Sequence, residues 1–355
     1  MASIIRRTSS SVPRPQCGPA IISLDLEHSM SAPKVFVTRR LPQEGIRLAR
    51  READLDIWPD DLPPTHDALL ARVRGTNGLV CLLTDTIDAP VMDAAGPTLR
   101  VISQMAVGFD NIDVAAATAR GIPIGNTPGV LTEATADFTW ALLLAAARRL
   151  VEADAYTRAG RWKTWGPMLL LGADVGGATL GIVGLGRIGQ AVAKRAGGFG
   201  MRILYFDRQR NEAVEKALGA EYVSFENLLA ESDFITIHTT YSESSHHLFG
   251  EEAFKRMKPT ALLINTARGP IVDGHALYLA LTTGEIAGAA LDVTEPEPIE
   301  PADPLLGLDN VIIAPHIASA SRSSRGRMAV MAAENLVAGL RGEKLPHCVN
   351  PEVYK

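Results

Sequence analysis

The sequence predicts an α/β protein built from two doubly wound parallel sheets in tandem, with a cleft between them. Two observations carry that prediction. Short apolar runs alternate with helix-like stretches along nearly the whole chain, the pattern of parallel strands joined by crossover helices. The same rhythm occurs twice, on either side of a long apolar helical stretch.

The first series of runs is KVFVTR (34–39), LDIWP (55–59), GLVCLL (78–83), LRVIS (99–103) and IPIGN (122–126), with helical segments at 43–50 and 66–73. The second is TLGIVG (179–184), RILYFD (202–207), DFITIH (233–238), ALLINT (261–266), GAALDV (288–293) and NVIIAP (310–315). Two longer helical stretches, 131–151 and 320–341, read as crossovers. The first carries the chain into the second sheet and the other returns it. The expected domains are therefore 34–130 with 317–355, and 131–316, preceded by an extension at 1–33.

Bulk properties narrow the function. At 355 residues the chain has room for two ordinary cores. A net charge of −5 gives no support to a nucleic-acid partner. No apolar run reaches the roughly 18–20 residues of a membrane span; the run at 138–147 ends in Arg148-Arg149 and reads as a buried helix. Cys17, Cys81 and Cys348 lie far apart without metal-ligand spacing, which favours a reducing, cytoplasmic setting. The opening residues carry Arg6, Arg7 and Arg14, a serine run and no acid before Asp25. They read as a disordered extension, or as lying upstream of a working start at Met30. An organellar transit peptide is the alternative.

Gly184-Leu185-Gly186-Arg187-Ile188-Gly189 follows an apolar strand and opens a helix, and Asp207 closes the next strand about 20 residues on. Gly184 permits the tight turn, Gly186 lets a pyrophosphate approach the backbone, and Gly189 lets helix pack on strand. Free N–H groups at the helix start hold the negative charge. The motif predicts a bound dinucleotide. Asp207 favours NAD(H) by accepting from the ribose hydroxyls; Arg208 and Arg210 beside it leave NADP(H) open.

Three later strand ends carry polar residues: Arg268 after ALLINTA, Glu297 in LDVTEPEP and His316 after NVIIAP. Ligands of parallel sheets lie at the carboxyl ends of strands, so the three face one crevice. A guanidinium binds a carboxylate and an adjacent carbonyl together. An imidazole donates the proton that an alkoxide needs after hydride addition. A carboxylate beside the imidazole favours the protonated ring and fixes its orientation. The set suits reduction of a small 2-oxo acid.

GLGRIGQAVAKR, NTARGPIVD, AGAALDVTEPEP and APHIAS together resemble the D-2-hydroxyacid dehydrogenase family, over essentially everything from Lys34 onward. The resemblance implies a flavodoxin-like substrate domain and a Rossmann cofactor domain. It places the catalytic Arg, Glu and His on Arg268, Glu297 and His316. Val107 and Gly108, in VGFDNID, are similar to the loop whose amides hold the substrate carboxylate. The implied cofactor site comprises Gly184, Leu185, Gly186, Arg187, Ile188, Gly189, Asp207, Arg208, Gln209, Thr240, Thr266, Ala267, Arg268, Asp292, His316 and Ala318. The segment at 161–168, with Trp162 and Trp165, resembles the glyoxylate/hydroxypyruvate reductases within the family. There the tryptophan matching Trp165 reaches the partner subunit's substrate pocket, which implies a homodimer; a plain interface anchor is the other reading.

Leu83 and Trp165 are expected to line a pocket for a two- or three-carbon acid. Glu297 stands where formate-dehydrogenase-like relatives have glutamine, which argues against that branch. A D-lactate or phosphoglycerate type of dehydrogenase, and a non-catalytic NAD-sensing corepressor, stay open as alternatives. His238-Thr239-Thr240-Tyr241 departs from relatives that carry a proline here, which bears on cofactor affinity. His246-His247 has no carboxylate at suitable spacing and reads as a solvated loop, so no metal is expected.

Overall fold

A computed structural model describes residues 32–355, and the expectations for the N-terminal extension lie outside the described residues. The first half runs β1 (Lys34–Val37), α1 (Gln43–Ala49), β2 (Asp54–Ile57), α2 (His66–Arg72), β3 (Gly78–Cys81), α3 (Ala89–Ala95), β4 (Val101–Gln104), α4 (Val114–Ala119) and β5 (Ile124–Gly125). Then come α5 (Thr132–Ala147), α6 (Leu150–Arg158), β6 (Thr179–Val183), α7 (Arg187–Ala196), β7 (Arg202–Phe206), α8 (Glu212–Leu218), β8 (Ala220–Tyr222), α9 (Phe225–Glu231) and β9 (Phe234–Ile237). The chain ends with α10 (Glu251–Arg256), β10 (Leu262–Asn265), α11 (Gly274–Thr283), β11 (Gly288–Leu291), β12 (Val311–Ile313) and α12 (Arg322–Leu340).

The strands form two parallel sheets, in the orders β2-β1-β3-β4-β5 and β12-β11-β10-β9-β6-β7-β8. Strand order reverses between β1 and β3 in the first and between β6 and β9 in the second. Such reversals open a crevice at the carboxyl ends of the strands. Central strands are buried on both faces: β3, β4, β9, β10 and β11 have every residue buried. That is why they read as unbroken apolar runs rather than alternating ones.

The two long helices serve opposite sheets. α5 buries Ala136, Trp140, Leu142, Leu143 and Ala147 and packs on β10, β11, β12 and α7. α12 lies on α1, β3, β4 and β5, where Ser103 donates to the Ala332 carbonyl at 2.7 Å. The expected single helix at 131–151 is broken. Arg149 adopts a left-handed conformation (φ 50°), and α6, which buries no residue, starts afresh after it. The apolar face that holds α5 stops at Ala147, so nothing keeps the helix straight beyond it. β8 was not anticipated: it is a three-residue edge strand with one buried side chain.

Candidate active site

The glycine turn after β6 has the conformations its sequence requires. Gly184 sits at φ +95°, and a Cβ there would lie 2.6 Å from the Thr239 amide nitrogen. A Cβ on Gly189 would overlap the Gly184 carbonyl oxygen. Both glycines are demanded by internal packing. Gly186 differs: its φ is −70° and a Cβ would meet nothing within 4 Å. The chain itself gives no reason for glycine there; a group lying against the turn does. Gly186 and Arg187 are exposed at the N-terminus of α7. This cradle fits a dinucleotide pyrophosphate.

Asp207 closes β7 and accepts from the Leu185 amide at 2.8 Å and the Arg208 amide at 2.7 Å. It thereby ties the glycine turn to the strand end where an adenosine ribose would rest. The two arginines after it differ. Arg210 makes a two-pronged pair with Glu215 at 2.9 Å, and Glu215 also accepts from the buried Tyr205 hydroxyl at 2.7 Å. Arg208 is exposed and has no side-chain partner among the described residues.

Arg268 follows β10 and reaches the first domain. Its Nε and Nη2 each lie 3.2 Å from Asp110 Oδ1, while Nη1 donates to the Ala267 carbonyl at 2.8 Å. A guanidinium has five N–H donors in a fixed fork. Three of the five are engaged, which leaves one N–H on Nη1 and one on Nη2 without a partner among the described residues. Asn265 sets the turn beneath, accepting from the Ala267 amide and donating to the Arg268 carbonyl. Beside the guanidinium, the carbonyls of Val107 and Gly108 are held by Asn126 at 2.8 Å and Gln104 at 3.2 Å. The amides of both residues have no partner among the described residues. A Cβ on Gly108 would overlap Arg268 Nη2, so amides and guanidinium are immediate neighbours.

His316 and Glu297 form a dyad, with Nδ1 and Oε1 2.5 Å apart. His316 Nε2 has no partner among the described residues. The histidine is held at φ 53°, a conformation that non-glycine residues adopt only when neighbours fix it. Asp292 supplies that restraint. Its carboxylate accepts from the amides of Ile317 at 2.8 Å and Ala318 at 2.7 Å, and its carbonyl accepts from the His316 amide. Burial pushes the Asp292 carboxyl up, against the pull of the two amides and of His316. Arg325 of α12 feels the Asp292 charge while burial lowers its own titration.

Comparison with known proteins identifies the chain. A family model described as the NAD-binding domain of D-isomer-specific 2-hydroxyacid dehydrogenases matches residues 140–318. A glyoxylate reductase of Korarchaeum cryptofilum is 59% identical over 324 residues, covering 91% of this chain and 97% of that protein. This chain belongs to the D-isomer-specific 2-hydroxyacid dehydrogenases. Among solved structures, a Thermus thermophilus protein is 50% identical with a TM-score of 0.84, covering 89% of this chain and 99% of that one. An NADPH-dependent glyoxylate/hydroxypyruvate reductase of Sinorhizobium meliloti, solved with NADP and malonate, is 33% identical with a TM-score of 0.81. That match covers 91% of this chain and 98% of the other.

Within this dehydrogenase the remaining candidates fall at different depths. Thr266 is buried and shares a 2.9 Å hydrogen bond with Thr139 of α5, so it also anchors the β10 turn. Leu83 is half-buried on the turn after β3, a turn held by the buried Asp85, which accepts from the Leu82 amide at 2.7 Å. Thr240 and Gln209 are exposed beside the glycine turn's strand ends. Trp165 is 78% exposed, in company with Trp162, Met168 and Leu171. At His238 the two ring nitrogens are buried with no partner among the described residues, and burial pushes its titration down to about 3. The sequence reading missed Asp110, although it sits in the very segment quoted for Val107 and Gly108. It also missed Asn265. The reading of His246-His247 as lacking a carboxylate is corrected by the fold, which brings Glu295 to 2.8 Å from His247 Nε2.

Proposed function

We propose that this dehydrogenase reduces glyoxylate and hydroxypyruvate to glycolate and D-glycerate, with NADH preferred and NADPH accepted. The observation that carries the reading is the pairing of two free guanidinium N–H groups on Arg268 with the unpartnered Val107 and Gly108 amides. Together they fit one small carboxylate with a carbonyl beside it. The two amides and one N–H of Arg268 hold the carboxylate; the other N–H polarises the carbonyl. When bound, the reduced nicotinamide supplies the hydride. His316, its Nδ1 on Glu297, gives the carbonyl oxygen a proton from Nε2, and Glu297 holds the ring in that orientation. Asp207, Arg208 and Gln209 face the adenosine end, and Thr240, Thr266, Ala267, Asp292 and Ala318 surround the remainder of the cofactor. The names of the Korarchaeum and Sinorhizobium relatives support the substrate class.

The exposed apolar side chains of Trp162, Trp165, Met168 and Leu171 support a homodimer through this segment, with Trp165 approaching the partner's pocket. The free thiols of Cys81 and Cys348 support a cytoplasmic setting. No helix among the described residues is long and apolar enough to cross a membrane.

The test is the loss of reduced-nicotinamide absorbance with each acid against each cofactor. Turnover with both acids, faster with NADH, is expected. No turnover with either acid, while cofactor binding is intact, would overturn the assignment and point to a bulkier acid or to a binding protein.

A further inference from the structure

His246 and His247 lie in the loop after β9, and neither takes part in the substrate or cofactor arrangement described above. Neighbouring side chains in extended backbone point to opposite sides. Here they do not. His247 takes a left-handed conformation (φ 49°), and the two rings stack with centroids 3.8 Å apart and planes 20° from parallel. The chain holds this against its intrinsic cost of about 1–3 kcal/mol. The His247 amide donates to the Pro270 carbonyl at 2.8 Å, and Phe249 pairs with Ile271 and Asp273 through backbone bonds of 3.0 and 3.1 Å. The loop is thus stitched to the segment that follows Arg268.

Onto this pair the β11 loop brings a carboxylate. Glu295 Oε2 is 2.8 Å from His247 Nε2, and one ligand atom from each of His246, His247 and Glu295 lies within 4.8 Å of the others. On the far side of the ring, His247 Nδ1 is 3.8 Å from Asp273 Oδ2. At that distance Asp273 makes no hydrogen bond, but a closure of about 1 Å would let it accept from Nδ1–H and leave Nε2 for a metal. Two imidazoles and one carboxylate suit a borderline divalent ion such as zinc, with water as fourth ligand, and not the all-oxygen shells of calcium or magnesium. Bonds of about 2.0–2.2 Å need the donors to close to about 3.4 Å. The His247 and Glu295 side chains are 39% and 38% exposed and have the freedom to do so.

We propose that His246, His247 and Glu295 bind a divalent ion of the zinc type, clamping the β9 loop to the β11 loop beside, but apart from, the catalytic dyad. Glu295 precedes Glu297 by two positions, so an ion here would immobilise the stretch that carries the partner of His316.

The test uses the full chain, freed of metal by dialysis against a chelator, and zinc chloride followed by calorimetry. Because His316 and Glu297 are themselves an imidazole and a carboxylate in contact, a His316→Asn variant is measured alongside. Expected are one ion per chain, affinity unchanged in His316→Asn, and at least about tenfold weaker binding in His247→Asn and in Glu295→Gln. Zinc should raise the thermal midpoint of the wild type and not of Glu295→Gln. Cobalt, as a coloured probe, should give the visible bands of a low-coordinate nitrogen–oxygen site that vanish in His246→Ala. No binding by the wild type overturns the proposal. So does binding that survives the His247 and Glu295 substitutions, or binding that is lost in His316→Asn.

Discussion

The Asp110 carboxylate grips one edge of the Arg268 guanidinium, with Oδ1 3.2 Å from both Nε and Nη2. The two residues come from different domains and lie 158 positions apart. Their contact leaves one N–H each on Nη1 and Nη2 unpartnered, and in the proposed mechanism Asp110 orients this substrate-binding group without touching substrate. Asp110→Asn removes the charge and one acceptor. A charge-assisted bond contributes about 1.5–3 kcal/mol, discounted here because Asp110 is part-exposed. We expect kcat/KM to fall about tenfold, with a rise in KM as the larger part. A variant with improved KM would mean instead that Asp110 competes with the substrate carboxylate.

Gly108 meets the same guanidinium at Nη2, close to Asp110 Oδ1. A Cβ there would overlap Nη2 and lie 2.9 Å from Cζ of Arg268. Gly108→Ala must push the guanidinium out of place or distort the loop that presents the Val107 and Gly108 amides. Misplacement of about 1 Å at such a site costs about 100-fold in rate. Steady-state kinetics should show that loss while the far-ultraviolet dichroism stays that of the wild type. Full activity in this variant would show that the contact is not kept during turnover.

In the proposed mechanism His316 and Glu297 are the proton-donating pair. Removing a positioned general acid costs about 100- to 10,000-fold, so His316→Ala should lower kcat in that range with KM little altered. Glu297→Gln keeps a hydrogen-bonding oxygen beside Nδ1 but loses the carboxylate charge, and its kcat should fall by less. Proton delivery from His316 should give a solvent deuterium isotope effect on kcat. If His316→Ala kept the wild-type kcat, the proton would come from another group.

Much of this was legible in the sequence, for a physical reason. Strands buried on both faces must be apolar throughout, so β6, β9, β10 and β11 announce themselves, and their carboxyl ends locate Gly184, Arg268 and Glu297 without coordinates. β8 was illegible because Ala220–Tyr222 buries one side chain at a sheet edge. The break at Arg149 was illegible because Leu150 and Val151 continue the apolar pattern, and only the backbone conformation betrays it. Asp110 and Asn265 act on partners or on backbone groups that the fold alone brings near, and no local spacing signals that. The meeting of Glu295 with His247, 48 positions apart, is of the same kind.

Cofactor choice turns on residues whose commitments differ. Arg210 is already paired with Glu215, leaving Arg208 as the cation free to meet a 2′-phosphate. Asp207 opposes that phosphate by its charge. Asp207→Ala should therefore shift the ratio of kcat/KM for NADPH over NADH upward by about tenfold or more. Adding Arg208→Ala should reverse most of that gain. If Arg210→Ala, and not Arg208→Ala, abolished NADPH use, the Arg210–Glu215 pair would have to open on binding.

His238 links the cofactor domain to pH. It follows β9, its backbone packs under the Gly184 turn, and both ring nitrogens are buried without partners. Burial pushes its titration from the usual value near 6.5 down to about 3. Between those values the unfolded chain binds a proton at this position and the folded chain does not. Stability from this group is therefore complete above pH 6.5 and drains away as pH falls toward about 3. His238→Leu removes the titration and both unsatisfied nitrogens at similar volume. At pH 7.5 its thermal midpoint should equal or exceed that of the wild type. At pH 5 the gap should widen in the variant's favour, by an amount that grows with each further step of acid. A gap that stays constant from pH 7.5 to pH 5 would show that the imidazole finds a partner or water in the folded protein.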